Sequence, residues 1–410
     1  MMRTLQGHVL TPGGWVRGRI DIGEDGHIAR IEGDPVEDAA VDGDAAGDVR
    51  LSSAERIVRD SSEPLILPGF IDLHVHGGDG RDIMEGSDAA AAVARCHARH
   101  GTTALLATTM TAPMDDLVRA FEALSPLCRL QADASAPAGT TRGNGGVRGS
   151  GARILGVHLE GPYINPGRLG AQPDYARRVS MDELQRLHAL APIRLVTLAP
   201  EMPHHLEDIP ALVQAGFRVQ VGHSAGSYDD GVQALARGAA GFTHLFNAMT
   251  GMHHREPGIV GAALAHAQYA EIIPDMMHVH PGAIRAAMRA IPCLYCVTDS
   301  TAATGMPDGD YMLGRQQVTK CLGGVRLADG TLAGSALTMD QALRNLVEKL
   351  GLSLADASKR VSTFAADYLG LPDRGRLAQG AWCDAVVLDR DLQLKDVYLE
   401  GEPLALADAR

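Results

Sequence analysis

The 410-residue sequence lacks several features that would mark it as a membrane, secreted or nucleic-acid-binding protein. It has no run of about 18 apolar residues, which is the length that a membrane-spanning helix needs. Its first residues, MMRTLQGHVLTPGG, lack the apolar segment of a secretory signal peptide. Acidic residues outnumber basic ones, and the formal net charge is −13. We therefore expect a cytoplasmic protein that has neither nucleic acid nor an anionic membrane as its main partner.

Cysteine is sparse as well, and the six residues lie scattered along the chain at positions 96, 128, 293, 296, 321 and 383. They fit no disulfide framework, which indicates a reducing compartment. Cys293 and Cys296 have the spacing of a redox or zinc motif, but they lie in the apolar run IPCLYCVTDS without a second such pair. Buried strand thiols are the favoured interpretation of these two residues.

The two ends of the chain share one sequence pattern. Residues 1–67 alternate short apolar segments with Gly, Asp and Pro, which predicts short antiparallel strands joined by tight turns. Within them, residues 33–63 are rich in Asp, Ala and Glu and predict an exposed, mobile insertion. Residues 379–410 return to the strand-and-turn pattern of the beginning. We expect both ends to form one small β-sandwich domain that flanks the middle of the chain.

The middle of the chain, residues 68–378, alternates apolar β-branched runs with helical patterns. Eight such runs predict parallel strands, which favours an α/β fold of the closed, TIM-like (β/α)₈ barrel type. An open doubly wound sheet is the alternative. Residues 131–152 are small and Gly-rich, and they predict a disordered surface loop. The strand candidates are FIDLHV, TALLAT, ILGVHLEG, IRLVTLAP, FRVQVGH, GFTHLFN, AEIIPD and LYCVTD.

The first strand candidate ends in a histidine pair, within PGFIDLHVHGG (Pro68 to Gly78). Residues two apart on a strand point to the same face, so His74 and His76 are expected to lie side by side. Two imidazoles in this arrangement can bind one metal ion. The pair alone is weak evidence, because the chain has 17 histidines and this spacing can arise by chance.

Other strand candidates also end in residues that bind metals or move protons: Glu160, His223, His244 and Asp299. In a barrel the carboxyl ends of the strands meet at one face, where catalytic groups sit. Each residue has a structural alternative, since Glu160 could cap a turn, His223 could precede a helix and Asp299 could be an N-cap. Their coincidence on so many strand ends favours a metal centre.

The residue types at these strand ends indicate a class of chemistry. Neutral imidazoles with a carboxylate suit a divalent ion such as Zn²⁺ or Fe²⁺, and the absence of thiolates leaves the centre able to bind water. Such an ion makes hydroxide available at neutral pH. Asp299 could take the proton of the water and deliver it to a leaving amine. The predicted reaction class is metal-assisted hydrolysis of an amide.

Several ordered blocks resemble the amidohydrolase superfamily and, more narrowly, the N-acetylglucosamine-6-phosphate deacetylase family. The resemblance spans about residues 64 to 350, with an amidohydrolase-like tail, GRLAQGAWCDAVVLD, beyond. The blocks are PGFIDLHVHGG, GVHLEGPYINPGRLGAQ, VGHSAGSY, THLFNAM, REPGIVGAAL, HVHPGAI, CVTDSTAATGMPDG and LAGSALTMDQALRNLV.

The resemblance implies a role for each strand-end residue. Glu160, His223 and His244 match the ligands of the principal metal. His74 and His76 would complete a second site with Glu160 as the bridge, so one or two ions per chain are expected. Asp299 matches the general base and acid of the family.

The resemblance also implies substrate contacts, and an acidic protein can still present a locally basic pocket to an anionic substrate. Asn247, Ala248 and Arg255 match the phosphate contacts, and His278 matches a residue at the sugar hydroxyls. The arginine would reach the active site of a neighbouring subunit, which implies a homodimer. Gln172 stands where some members have a histidine at the acetyl group, so the carbonyl contact there differs. The structural alternatives are a solvated loop arginine for Arg255 and a packed strand-end histidine for His278.

The function that the resemblance implies is deacetylation of N-acetyl-D-glucosamine 6-phosphate to D-glucosamine 6-phosphate and acetate, in amino-sugar catabolism. The same chemistry on N-acetylgalactosamine 6-phosphate is an alternative, because the two sugars differ in the orientation of one hydroxyl. A different amidohydrolase, such as a cyclic-amide hydrolase, and a catalytically silent binding barrel are further alternatives. Met276, where a glycine is usual, is a departure from the pattern, as is the missing Asn-Pro in TFAADYLG.

Overall fold

The computed structural model describes residues 3–36, 53–132 and 150–405. Most of these residues belong to strands and helices that alternate along the chain. The strands are β1 (Arg3–Thr11), β2 (Gly14–Ile22), β3 (Ile28–Pro35), β4 (Leu65–Pro68), β5 (Phe70–Val75), β6 (Gly77–Gly78), β7 (Arg81–Asp82), β8 (Thr102–Thr109), β9 (Arg153–Glu160), β10 (Ile193–Leu198), β11 (Arg218–Val221), β12 (Gly241–Phe242), β13 (Tyr269–Ile272), β14 (Cys293–Cys296), β15 (Gly309–Leu313), β16 (Gln316–Cys321), β17 (Gly324–Arg326), β18 (Leu332–Ser335), β19 (Ala385–Leu388), β20 (Leu394–Leu399) and β21 (Glu402–Pro403).

The helices lie mainly between the parallel strands. Several begin at a serine N-cap, as where Ser180 accepts a hydrogen bond from the backbone N–H of Glu183. The helices are α1 (Ser53–Asp60), α2 (Ala89–Ala98), α3 (Met114–Ala132), α4 (Met181–Leu190), α5 (His205–Gln214), α6 (Tyr228–Ala236), α7 (Gly258–His266), α8 (Pro281–Ala290), α9 (Met339–Arg344), α10 (Leu354–Ser358) and α11 (Phe364–Leu369). Shorter helical segments lie at Ile83–Glu85, Pro166–Arg168, Asn345–Lys349 and Lys359–Thr363.

Eight parallel strands form a closed barrel, each followed by one of the helices α2 to α9. Six strands pair in the order β12-β11-β10-β9-β8-β5, and β13 pairs with β14. Backbone hydrogen bonds join the two groups on both sides: Leu245 donates to the Glu271 carbonyl at 2.9 Å, and Asp299 donates to the His74 carbonyl at 2.9 Å. The (β/α)₈ barrel predicted from the sequence is confirmed, and the open doubly wound sheet is excluded.

The barrel strands form where apolar runs can be buried on both faces. Every residue of β5 and of β8 is buried, as expected for parallel strands that have helices outside and side chains inside. All eight strands fall on the runs predicted from the sequence, although β12 is only two residues long.

The strands of both chain ends share a second sheet. Its order is β21-β20-β19-β4-β1-β2-β3, so a C-terminal strand, β19, pairs with the N-terminal strand β4. One face carries its own apolar cluster, which includes Val9, Ile20, Ile28 and Ile66. The small β domain built from both ends is therefore present. The limits at residues 67 and 378 stay a prediction.

A four-stranded antiparallel sheet, β15 to β18, lies between β14 and α9 and was not predicted from the sequence. The turn between β15 and β16 is held at the barrel mouth by three contacts. Gly314 donates its N–H to Asp82 at 2.9 Å, Arg315 pairs with Asp116, and Gln316 donates to a backbone carbonyl of the loop after β9. This sheet therefore covers one side of the face where the strand ends meet.

Two predictions about loops are wrong at their edges. Residues 33–35 of the predicted insertion 33–63 are exposed, but they belong to strand β3. Helix α1 begins at Ser53, and its Val58 is fully buried, so this part of the insertion is not a wholly exposed segment. Helix α3 includes residues 131 and 132, and Ala152 is buried at the other end of the predicted loop 131–152. Residues 37–52 and 133–149 lie outside the described residues.

The cysteines and the lengths of the helices complete the description of the fold. All six cysteines are free, and Cys296 is buried in β14 while Cys293 is half-buried. In the part of the chain that the structure describes, no helix is long and apolar enough to cross a membrane.

A buried ion cluster joins the terminal sheet to the barrel. Arg374 pairs with Asp384 and, at 2.7 Å, with Glu400. Glu400 also pairs at 2.5 Å with Arg153, the first residue of barrel strand β9. Burial raises the pKa of Glu400, but the two arginines outweigh it and lower that pKa below its ordinary value.

We expect Arg374→Met to lower the free energy of unfolding by about 3–5 kcal/mol, because it leaves the buried Asp384 without its arginine and Glu400 with Arg153 alone. Arg376→Met is the matched control, since Arg376 pairs with Asp367 near the surface and should contribute about 1 kcal/mol or less. Urea denaturation of both variants measures the difference. Equal losses would show that the cluster does not stabilise the junction.

Candidate metal centre and substrate cavity

The strand-end residues predicted from the sequence meet at one mouth of the barrel. Glu160 is the last residue of β9, and His74 is the fifth residue of β5. The others lie just beyond the ends of their strands. All six side chains are buried: His74, His76, Glu160, His223, His244 and Asp299.

The first ligand group consists of Glu160, His223 and His244. The Oε1 atom of Glu160 lies 3.0 Å from Nε2 of His223 and 2.9 Å from Nε2 of His244. The two Nε2 atoms are 3.0 Å apart. Three donor atoms therefore surround one point, and two imidazoles with one carboxylate are a donor set that suits a divalent cation.

The second group consists of His74, His76 and Asp299. Nε2 of His74 and Nε2 of His76 are 3.2 Å apart, and both lie within 3.5 Å of Oδ1 of Asp299. Oε2 of Glu160 lies 3.1 Å from Nε2 of His76. Glu160 therefore stands between the two groups and turns one carboxylate oxygen to each.

Hydrogen bonds on the far side of the rings set which nitrogen faces the centre. Nδ1 of His223 donates to the carbonyl of Arg168 at 2.8 Å, and Nδ1 of His76 donates to the carbonyl of Thr108 at 3.2 Å. A carbonyl can only accept, so the proton lies on Nδ1 and the Nε2 lone pair is free to bind a metal. Both rings fit a metal centre in this respect.

Electrostatics in the cluster favour positive charge. Burial alone would lower the pKa of His74, but the surrounding carboxylates, first among them Glu160, raise it well above its ordinary value. Burial likewise opposes the charging of His76, yet Asp299 and Glu160 raise its pKa to about 9. The carboxylates thus stabilise cations between them, whether these are protons or a metal ion.

Three of these residues have a left-handed backbone. The φ angles are 47° at His223, 28° at His244 and 51° at Asp299. Non-glycine residues rarely adopt such angles, and each costs about 1–3 kcal/mol when the surroundings enforce it. Backbone strain of this kind clusters at functional sites, and here it turns the side chains toward the centre.

A third group lies beneath the centre and was missed in the sequence. Glu271 in β13 accepts a hydrogen bond from Nδ1 of His74 at 3.0 Å, and His158 in β9 lies beside it. Nε2 of His158 lies 2.7 Å from Oγ1 of Thr197, and burial lowers the pKa of His158 to about 4. The sequence did contain a signal for this group, because each of the two residues is a titratable residue within an apolar strand run. Glu271 orients His74, and His158 is a neutral core histidine.

A cavity of about 370 Å³ opens above the centre. Four residues predicted to contact the substrate line it: Gln172, Asn247, Ala248 and His278. All the strand-end residues of the two groups except His74 line it as well. The sheet β15 to β18 supplies further walls that the sequence did not predict: Leu313, Leu332 and Gly334.

His278 is held by an aspartate that the sequence interpretation missed. Nδ1 of His278 lies 2.6 Å from Oδ2 of Asp275, and the backbone N–H of His278 donates to Oδ1 of Asp275. Burial lowers the pKa of His278, but Asp275 outweighs it and raises the pKa above its ordinary value. His278 can therefore present a proton to a ligand oxygen in the cavity.

Arg255 does not join the other predicted residues. It is exposed, its Nη1 donates to Nε2 of His254 at 2.7 Å, and it lines a second cavity of about 700 Å³. Arg168 is the residue that lines both cavities. Within one chain, Arg255 therefore does not line the cavity above the metal centre. Its predicted role in a neighbouring subunit stays a prediction.

Known proteins resemble this chain over most of its length. It is 37% identical over 349 residues to N-acetylglucosamine-6-phosphate deacetylase of Lysinibacillus sphaericus, covering 83% of this chain and 86% of the relative. It is 36% identical over 405 residues to N-acetylgalactosamine-6-phosphate deacetylase of Escherichia coli, covering 96% and 97%.

Solved structures agree with these relatives. The N-acetyl-D-glucosamine-6-phosphate deacetylase of Mycobacterium smegmatis, in complex with N-acetyl-D-glucosamine-6-phosphate, superimposes with a TM-score of 0.82 at 32% identity over 98% of this chain and 99% of that one. The deacetylase of Thermotoga maritima gives a TM-score of 0.81 at 28% identity with the same coverage. The sequence model of the amidohydrolase family matches residues 65–404. With the barrel and its ligand groups, this match shows that the chain belongs to the amidohydrolase family.

Proposed function

We propose that this chain hydrolyses the acetamide of N-acetyl-D-glucosamine 6-phosphate to D-glucosamine 6-phosphate and acetate, in amino-sugar catabolism. The observation that carries the proposal is the meeting of Glu160, His223 and His244 with Asp299 in one cavity of about 370 Å³. Relatives with this activity in their names cover more than four fifths of the chain. The free cysteines also agree with a cytoplasmic enzyme.

Glu160, His223 and His244 would hold the principal ion, Zn²⁺ or Fe²⁺, and His74 with His76 would hold a second one. When bound, the ion polarises the acetamide carbonyl and activates water at neutral pH. The protein supplies imidazoles of fixed orientation and a buried carboxylate, and the cavity excludes most bulk water from the centre.

Asp299 acts as the general base and then as the general acid. Burial raises its pKa, but His74 and His76 outweigh it and lower the pKa below its ordinary value, so the carboxylate is ionised at neutral pH. It takes a proton from the attacking water as the new C–O bond forms. It then delivers that proton to the amine nitrogen as the C–N bond breaks, which balances the reaction.

The substrate is held by groups of the cavity wall and by a neighbouring chain. His278 donates a hydrogen bond to a sugar hydroxyl, and the backbone around Asn247 and Ala248 receives the phosphate. Gln172 lies on the side of the acetyl group. Arg255 supplies its guanidinium to the phosphate in the partner subunit of a homodimer, which fits its absence from the lining of the cavity in its own chain.

The galactosamine epimer is the second candidate substrate, because the relative of that name aligns with 96% of this chain. Comparing acetate release from the two 6-phosphorylated sugars, with metal content measured in the same sample, separates the candidates. We expect the larger kcat/KM for the glucosamine compound. A larger value for the galactosamine compound would reassign the substrate within the same chemistry.

We expect Asp299→Asn to lower kcat by about 10²–10⁴-fold, because the amide cannot shuttle the proton although its shape is the same. The principal ion should stay bound, since its three ligands are unchanged. Acetate release and metal analysis on one sample measure both effects. Turnover close to that of the unmodified protein would overturn the role of Asp299.

We expect Arg255→Ala to raise KM for the phosphorylated sugar by about 10–100-fold, as loss of a hydrogen bond to a charged group does. KM for unphosphorylated N-acetylglucosamine should change little. Arg289→Ala, at another exposed arginine, is the matched control. Equal effects on both sugars would remove Arg255 from the phosphate site.

Subunit exchange tests whether Arg255 acts in a neighbour. Mixing the Asp299→Asn and Arg255→Ala proteins should form hybrid dimers in which one site has both residues intact. Random exchange should restore about a quarter of the sites, since half of the dimers are hybrids with one complete site each. Activity no higher than the mean of the two variants would contradict a shared site.

A further inference from the structure

We propose that Gln172 is a positioning residue for the metal centre, which holds the carboxylate of Glu160 between the two ligand groups. Its Nε2 donates to Oε2 of Glu160 at 2.6 Å. Its Oε1 accepts the backbone N–H of Thr111 at 2.7 Å. The inference deepens the proposed function and rests on its use of a metal ion at Glu160.

The orientation of the Gln172 amide is determined by its partners. The backbone N–H of Thr111 can only donate, so the atom that faces it must be the amide oxygen. The amide nitrogen must then face Glu160, whose ionised carboxylate can only accept. Both residues are buried, with 4% of Gln172 and 2% of Glu160 exposed, so water does not compete for this charge-assisted bond.

The bond fixes the rotation of the Glu160 carboxylate. Oε2 is held by Gln172 on the side of His76, which leaves Oε1 directed at the Nε2 atoms of His223 and His244. A carboxylate that bridges two ligand groups must keep each oxygen toward one of them. Mutation of a partner of this kind typically lowers metal affinity or activity by about 10–100-fold.

The loop that carries Gln172 is itself held in place. The backbone N–H of Gln172 donates to the carbonyl of Leu169 at 2.8 Å. The carbonyl of Ala171 accepts from Nε2 of Gln316 in the sheet β15 to β18, also at 2.8 Å. The bonds to Thr111 and Glu160 fix the Gln172 amide in one orientation, in which one N–H supports Glu160 and the second N–H is left over. Support of Glu160 is therefore the role that the observed contacts of the amide define.

Chelator competition in the absence of any sugar tests the proposal. We expect Gln172→Met, which keeps the length of the side chain and removes its hydrogen bonds, to weaken the affinity for Zn²⁺ by about 10–100-fold. Gln172→His should recover most of the affinity, because one ring nitrogen can donate to Glu160 and the other can accept from Thr111. Gln341→Met, in helix α9 away from the cavity, is the matched control and should leave the affinity unchanged.

The outcomes separate this role from a substrate contact. Unchanged Zn²⁺ affinity in Gln172→Met, with a raised KM for the sugar, would overturn the proposal. If that variant does not fold, as judged by circular dichroism, Gln172→Asn decides, because the shorter amide cannot span both partners. Retained affinity in Gln172→Asn would equally overturn it. Failure of the deacetylase assay leaves these binding results intact.

Discussion

A buried carboxylate shared between two sets of imidazoles is the interaction on which this structure depends. Glu160 lies in a site that is nearly inaccessible to water, where an isolated negative charge would be strongly unfavourable. Four histidine nitrogens within 3.4 Å of its oxygens supply the compensation, either as protonated rings or by sharing a cation with it. That arrangement is held in place by the barrel strands, by the loop after β9 and by the layer of polar residues beneath the centre.

Closure of the barrel creates the arrangement. His74 and Asp299 lie far apart in the chain, yet the backbone N–H of Asp299 donates to the His74 carbonyl and so joins the last strand to the first. The same ladder that completes the fold therefore brings Asp299, the proposed acid–base residue, to the candidate metal ligands. Fold and chemistry are linked where the last strand pairs with the first. A shift of one residue in the register of this pairing would turn Asp299 to the other face of the sheet.

Much of this could be predicted from the sequence, because the barrel strands are continuous apolar runs and the candidate ligands stand at their ends. Glu271 and His158 could not be placed in the same way, since a polar residue in the middle of a strand reveals its partner only when the barrel closes. The sheet β15 to β18 was missed because its strands are short and alternate exposed with buried residues weakly. The neighbourhood of Arg255 depends on how loops fold over the surface, and spacing along the chain does not encode that.

The left-handed backbone at His223, His244 and Asp299 creates a conflict between the stability of the fold and its hydrolytic activity. Glycine would relax each of these positions, and it would also delete the side chain to which we assign a role in the metal centre or in proton transfer. A search for heat-resistant variants that scored only the folded fraction would therefore accumulate inactive proteins at these three strand ends. Metal occupancy would have to be part of the screen, because a bound ion stabilises only the chains that keep the strained ligands.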